Sequence, residues 1–564
     1  MADATAQAAA KKKALAKKLR LINNVNSTKY FAAGMAALVT LFIVFHWTRY
    51  FYKKIESRKV VNNKLLKVPL AITRVSRSLL LRKVPIFTSL GHALLFMGYI
   101  GTCLAVAFTN IDWSTLIGFS KRLGWVTIAN VAFITFLSLK NTPLAFLTAY
   151  SYERLNVLHR TAGYVTVICA VMHGVVYIQA WHQSNNLHEL KETEIVVGIV
   201  AGCAMLIIAA TSILIRKVRY EAWYLIHITM YTLIIITVGM HRPELATRSL
   251  IIVIFSGALW FSDRFIRFAK ISLFSFGNTA TIIPLPHGGT RITLRKSPSR
   301  AKPGTHCFLW IPKIRAAETH PFTVASLQND SLSFVIAAYD GFTRDLHNYA
   351  INNPGAQLKA SIDGPYGTVP DFTTYDKLVL IAGGSGGSFT FGVASDTIRK
   401  SLKNGKTFIE FVWVVREQDC ISWFSGELQE LISSHMVNLH IHSTQNTSPV
   451  QHSPQQSSSG SVDEKEDQIS LNNVSSTGPI SATDIEKHAQ GLAISTPQSV
   501  TVHAGRPDVA RLLSEIVQNS EAHDRVAVAA CGPDSLMAVV RKTVARNITV
   551  GGPSVELHCE QFGW

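Results

Sequence analysis

Residues 159–173 read HRTAGYVTVICAVMH and residues 227–241 read HITMYTLIIITVGMH; each is an apolar, helix-length run with a histidine at both ends, fourteen residues apart. Histidine is costly in hydrocarbon and needs a reason to be there. Neutral imidazole is also a ligand for haem iron. At 100° per residue, fourteen residues return a side chain to within about 40° of the same helix face, and at ~1.5 Å per residue they separate two rings by about 21 Å. One further apolar run lies between these two, so the two helices run in the same direction. His159 then lies level with His227, and His173 level with His241. Four imidazoles facing inward at two depths would hold two haems, each by two histidines, stacked across a bilayer. Such iron has no open coordination position, which suits electron relay. The ordinary alternative for any one of them is an interfacial or hydrogen-bonded histidine; the repeated interval favours ligation. His46 and His92 lack a same-face partner at this spacing and read as interfacial or bonded core residues.

The elements that must position these rings are membrane spans. The chain has 564 residues, 48% of them hydrophobic, and before about residue 270 it holds runs near the length that crosses a ~30 Å hydrocarbon core. The runs fall at roughly 30–50, 86–108, 124–147, 158–181, 195–215, 222–240 and 247–262, which predicts about seven spans. The net charge of +19 is not spread as a nucleic-acid binder would spread it. Basic residues cluster at Lys53, Lys54, Arg58, Lys59, Lys64, Lys67, Arg74 and Arg77, again at Arg216, Lys217 and Arg219, and again at Arg264, Arg267 and Lys270. These loops fall on one side, which the positive-inside rule makes cytoplasmic. The N-terminal KKKALAKKLR opposes an outside N-terminus, and the first helix is the least determined. The seven cysteines show no CxxC or zinc spacing; Cys103, Cys169 and Cys203 read as packing residues, and Cys307, Cys420, Cys531 and Cys559 as reduced thiols.

Beyond about residue 270 the pattern changes to short strands and soluble helices. Residues 279–369 hold β-rich runs (TATIIPLP, TRITLRK, HCFLWIP, SLSFVIAAY, QLKASID) broken by Gly and Pro, which predicts a small antiparallel barrel. HPFTVAS, His320–Ser326, lies within it. KLVLIAGGSGGSFTFGVASDTIRKSL then reads as a buried strand, a glycine-rich turn and a helix, where backbone N–H groups can approach a pyrophosphate. GGSGG alone is weak, because small-residue turns are common between strand and helix. The further strands FIEFVWVVR and DRVAVAACGPDSL favour a dinucleotide-binding α/β sheet.

HPFTVAS, GPYG (364–367), GGSGG, CGP (531–533) and the paired histidines together resemble the flavocytochrome ferric reductase and NADPH oxidase superfamily, and within it the fungal ferric-chelate reductases, over roughly residues 86–564. The resemblance implies a membrane α-helical bundle holding two b-type haems, then a cytosolic ferredoxin-reductase-like module. The corresponding divisions are a tail at 1–29, a haem-binding domain at 30–270, an FAD-binding barrel at 271–372 and an NADPH-binding α/β domain at 373–564. It implies electrons passing from NADPH through FAD and haem to a ferric or cupric chelate outside the plasma membrane, in support of metal uptake. A superoxide-generating NADPH oxidase would use the same path. A catalytically silent relative that keeps the fold is disfavoured by the full set of four histidines and the intact motifs.

By the same resemblance His320, Pro321, Phe322 and Thr323 line the flavin. Gly383, Gly384, Ser385, Gly386 and Gly387, with Cys531, Gly532 and Pro533, hold the nucleotide, and Arg416 and Arg506 take its phosphates. Cys531 and the terminal Trp564, which would shield the isoalloxazine ring, are the candidate catalytic residues. Two departures stand out. Ala337 and Ala338 occupy the place of a basic residue that would neutralise the flavin pyrophosphate; Arg344 or the helix N-terminus after Thr343 are the substitutes. An insertion at 444–498, rich in Ser, Gln and Asn, predicts a disordered loop. For the acceptor, WHQSNNLHELKETE (181–194) sets His182 and His188 beside Glu189, Glu192 and Glu194, donors that suit a transition metal; a solvated polar loop is the plain alternative.

Overall fold

The computed structural model describes residues 2–54, 64–111, 113, 115–241, 247–328, 330–404, 407–445 and 501–560. The first half is helical: α1 (Ala2–Lys54), α2 (Lys64–Leu81), α3 (Leu90–Phe108), α4 (Leu116–Ser138), α5 (Leu144–Thr148), α6 (Tyr152–Gln183), α7 (Thr193–Leu214), α8 (Tyr220–Met240) and α9 (Thr247–Ser275). Among the described residues six helices are long and apolar enough to cross a membrane: α1 over Ala10–Phe51, α3, α6, α7, α8 and α9. The seventh expected span, 124–147, is replaced by α4, which starts earlier and stops at Ser138. The chain turns to extended backbone at Leu139, the C-cap (φ −65°, ψ 125°).

α4 is the bundle's inner helix. It buries Arg122 to 2% exposure, which is tolerable only because the guanidinium is satisfied. Its Nε donates to Asn24 Oδ1 (2.8 Å), Nη1 to the Val106 and Thr109 carbonyls (2.8 and 2.6 Å), and Nη2 to the Asn110 carbonyl (3.1 Å). α1 also departs from expectation, because helix begins at Ala2 where a separate tail was expected through residue 29. Alanine and lysine, which dominate that stretch, are strong helix formers.

The second half has two β modules. β1 (Thr279–Leu285), β2 (Gly289–Leu294), β5 (Ser326–Gln328), β6 (Ser331–Ala337) and β7 (Gln357–Lys359) form one antiparallel sheet. β3 (His306–Trp310), β4 (His320–Thr323) and β8 (Ser361–Tyr366) form a second, and α10 (Phe342–Asn352) closes the barrel by setting Phe342 and Leu346 in one core with Ile282, Ile292 and Phe334. Next come the parallel strands β9 (Lys377–Gly383), β10 (Phe408–Glu417), β11 (Val437–Gln445), β12 (Val502–Ala504), β13 (Arg525–Cys531) and β14 (Ser554–Glu560), with helices α11 (Gly387–Asn404), α12 (Ser425–Ile432), α13 (Val509–Gln518) and α14 (Asp534–Asn547). Their order is β12-β11-β10-β9-β13-β14, so the strand order reverses between β9 and β13. Separate apolar cores on the two faces, around Trp413 and around Val528, hold this sheet. Of the expected insertion, Thr444 and Gln445 close β11; the remainder lies outside the described residues, as does Trp564.

Polar contacts join the halves. Arg267 near the end of α9 donates to Asp363 of β8 (2.6 Å), which also accepts from Tyr366 (2.5 Å). At the start of α6, Tyr152 and Glu153 meet His306 of β3 at 3.0 and 2.8 Å. On the nucleotide-sheet side, Arg49 of α1 pairs with Glu556 of β14 at 2.6 Å, and Tyr375 donates to the same carboxylate at 2.6 Å. Burial and Glu556 keep the Tyr375 hydroxyl protonated well above its usual range.

Candidate functional site

The two histidine pairs meet as the spacing predicts. The ring centroids of His159 and His227 are 6.3 Å apart, and those of His173 and His241 are 6.2 Å apart. Two imidazoles sharing one iron, with each ring nitrogen about 2 Å from the metal, would have centroids about 6.2 Å apart. The residues present therefore fit two bis-histidine haems. Three of the four rings are also oriented from behind. His159 Nδ1 faces the Ile134 carbonyl at 2.9 Å and His173 Nδ1 the Ser120 carbonyl at 2.8 Å, both on α4; His241 Nδ1 faces the Glu194 carbonyl of α7 at 2.7 Å. A ring that donates from Nδ1 presents an unprotonated Nε2 to a metal. The two α4 carbonyls are themselves fourteen residues apart, matching the interval on α6. His227 Nδ1 is buried without a hydrogen-bond partner among the described residues.

Glycine makes two of these approaches possible. A Cβ on Gly198 would lie 2.5 Å from His241 Nδ1, and one on Gly124 would lie 3.0 Å from the His173 ring. Gly163, Gly174 and Gly202 are different, since a Cβ there would meet nothing within 4 Å. Of these, Gly163 lines a cavity together with His159 and His227.

At the other end lies the nucleotide turn. Gly383 ends β9, Gly384–Gly386 follow it directly, and the turn packs against the end of β13, so a Cβ on Gly386 would sit 2.3 Å from the Cys531 carbonyl oxygen. The glycine turn and the Cys531–Gly532–Pro533 segment thus meet at the carboxyl ends of the two strands where the order reverses, the crevice in which α/β sheets bind nucleotides. Trp413 Nε1 fixes the turn by donating to the Gly384 carbonyl (3.1 Å). Burial, with Glu560 and Cys559 adding to it, pushes the Cys531 thiol up to about 12, so it stays neutral at ordinary pH.

One cavity of about 2290 Å³ connects these places. His159 and His227 line one end, His320–Thr323 and Thr343 the middle, and Gly383–Gly386, Arg416, Arg506 and Cys531–Pro533 the other end. Gly387 does not line it; its absent side chain makes room for Phe424, 2.9 Å from where a Cβ would lie. His173 and His241 lie outside this cavity. Within it, His320 stacks on Phe342 (4.5 Å) and pairs with Glu318 (3.0 Å). Arg344 lines the wall and is paired with Asp340; Thr343 accepts from the Tyr339 N–H (2.9 Å). Arg315, which the sequence reading passed over, lines the same wall. Lys140, also passed over, puts its ammonium 3.2 Å over the Phe308 ring. Burial, with Arg267 and Arg264 nearby, lowers its pKa well below the lysine range. Its closeness to the cavity depended on how the α4–α6 turn folds against β3, which no local pattern carries.

The 181–194 loop is less assembled. His188 and Glu189 approach to 3.8 Å, but among the described residues the group of three potential ligand atoms within 4.8 Å of one another is elsewhere, at Glu221, Glu318 and His320.

Helices fit for a membrane, joined to a barrel and a nucleotide-binding sheet, define an integral membrane flavoprotein of the oxidoreductase type. Three family models match it in order: residues 123–238 match a ferric reductase like transmembrane component, 277–370 an FAD-binding domain and 375–545 a ferric reductase NAD binding domain. The chain belongs to the ferric reductase family. It is 27% identical over 461 residues to ferric reductase transmembrane component 3 of Saccharomyces cerevisiae, covering 79% of this chain and 61% of that one. Against ferric/cupric reductase transmembrane component 2 of the same yeast it is 27% identical over 444 residues, with 76% and 58% covered. A probable cell surface ferric reductase of Aspergillus oryzae is 26% identical over 340 residues, with 55% and 45% covered. The chain thus spans about six-tenths of the length of the two yeast relatives.

Proposed function

We propose that the protein is an NADPH-dependent ferric-chelate reductase of the plasma membrane. It takes electrons from the cytosol, through FAD and two b-type haems, to ferric or cupric ions on the opposite face, in support of metal uptake. The observation that carries the reading is the joint geometry: two histidine pairs at iron-sharing distance, one of them opening into the cavity that holds the flavin and nucleotide motifs. When bound, FAD accepts a hydride as a two-electron unit and hands electrons on singly to haem, which relays them.

The chain's own residues bind, orient and insulate. The Gly383–Gly386 turn brings backbone N–H groups to a pyrophosphate, and Arg416 and Arg506 add charge at the rim. Phe322 and His320, packed on Phe342, offer a flat wall for an isoalloxazine ring, with Thr323 at its edge. Thr343, Arg344 and Arg315 are the groups available to a flavin pyrophosphate in place of the cation missing at Ala337 and Ala338. Cys531, held as a neutral thiol, borders the nicotinamide end, where Trp564 is proposed as the movable cover. His182, His188 and Glu189 are the proposed docking donors for the metal.

The purified protein, given NADPH and FAD, should reduce a ferric chelate with little superoxide released. Superoxide as the main product, with poor chelate reduction, would replace this reading with an oxidase.

A further inference from the structure

Helix α2 has two faces and only one of them is used. Val68, Ile72, Val75 and Leu79 fall in one stripe about 60° wide at helical spacing, and they are 65%, 61%, 45% and 40% exposed. The opposite face is bonded to the nucleotide domain. Arg74 Nη1 donates to the Val550 carbonyl (2.5 Å), Arg77 to the Val555 carbonyl and Ser78 Oγ to the Ala545 carbonyl (3.0 Å), while Leu81 packs into the core beneath α13 and α14.

The position of α2 in the chain says what should cover the free stripe. It connects α1 to α3, two helices of membrane length, so both its ends are tied to segments leaving the bilayer on the nucleotide-domain side. Arg82 and Lys83 follow it, exposed, and Ile86 is 100% exposed just before α3 begins. An apolar stripe flanked by cations and tethered at the membrane plane has the chemistry of an interfacial helix.

We propose that α2 lies in the surface of the bilayer, with the Val68–Ile72–Val75–Leu79 stripe at the acyl boundary and the flanking basic residues on anionic headgroups. The nucleotide domain is then moored to lipid through the polar face of the same helix. This does not depend on the redox reading and stands or falls separately from it.

The full chain in nanodiscs tests it. A bimane on Ile72→Cys is compared with one on Glu521→Cys, an exposed position of the nucleotide domain, and the labelled parent sets the background from native thiols. In phosphatidylcholine and phosphatidylserine with brominated acyl chains, the probe at 72 should be quenched severalfold more than the probe at 521, and more than in phosphatidylcholine alone. Equal quenching at the two positions would overturn the proposal. So would a probe at 72 shielded from aqueous iodide but untouched by brominated lipid, which would mark a protein partner. An unchanged melting temperature for Ile72→Cys checks that the variant is folded.

Discussion

At the scale of single residues, the pairing of rings makes the sharpest claim. If His173 and His241 share one iron, His173→Ala should remove about half of the low-spin b-type absorbance, and an unaltered spectrum with full haem content would reject the pairing. A second claim concerns protons. Burial raises the Cys307 and Cys531 thiols to about 12 and Cys559 to about 11 from an ordinary 9.0. Their folded pKa lies above the unfolded one, so the folded state holds these protons more tightly. The stability they supply is complete below about pH 9 and falls as pH rises toward about 12. The melting temperature of the β-sheet half should decline through that window, and thiol-to-serine substitution at these positions should flatten the decline. Cys531 should likewise alkylate far more slowly than a free thiol at pH 8. A third claim concerns the outer loop. Changing His182, His188 and Glu189 to alanine should raise KM for ferric chelate severalfold while NADPH-driven haem reduction is unchanged; unaltered metal kinetics would leave the loop as solvated surface.

At the scale of elements, helix contacts decide which approaches are possible. Gly198→Ala puts a methyl into the space of the His241 ring; if the two histidine pairs hold haem as proposed, it should cost the His173–His241 one while the His159–His227 one stays, read as loss of one of two redox components in a potentiometric titration. Gly101→Ala, where a Cβ meets nothing within 4 Å, should leave both. The histidine helices were legible from sequence because a face-to-face pair requires a repeat along the chain, and fourteen residues is a repeat a reader can count. The strand–turn–helix around GGSGG was legible for a similar reason, its apolar run and its glycines being local. α4 was misplaced because its charged first turns are satisfied by Asn24, Val106, Thr109 and Asn110, partners up to 98 residues away. Gly124 and Gly198 look like any helical glycine until the histidines opposite them are known.

At the scale of the whole molecule, the two halves are clasped on two sides. Beside the barrel, the clasp is Arg267–Asp363 and the meeting of Tyr152 and Glu153 with His306. Beside the nucleotide sheet, it is β14, where Glu556 takes Arg49 and Tyr375, and Glu560 lies 3.6 Å from Arg154 on α6, the helix that carries His159 and His173. These pairs join residues 96 or more positions apart, which is why sequence reading found the modules but not their docking. Glu556→Gln should leave flavin reduction by NADPH near its parent rate and slow haem reduction by roughly tenfold, the effect of weakening the docked state by ~1.4 kcal/mol. Stopped-flow absorbance separates the two steps. Equal slowing of both would mean that Glu556 supports the nucleotide domain's own fold.

The oxygens of Ser120 and Ile134 that orient the rings of α6 belong to the main chain, and every residue type carries such an oxygen. Replacing α4 side chains one at a time would therefore leave both acceptors where they are. Deleting a single residue between 120 and 134 is another matter, because it turns one carbonyl about 100° and moves it ~1.5 Å relative to the other. One of the two histidines must then lose its acceptor. Outside Gly124 and Arg122, α4 acts as a ruler whose length counts for more than its lettering, so its history should record exchanged residues at its other positions and few changes in number.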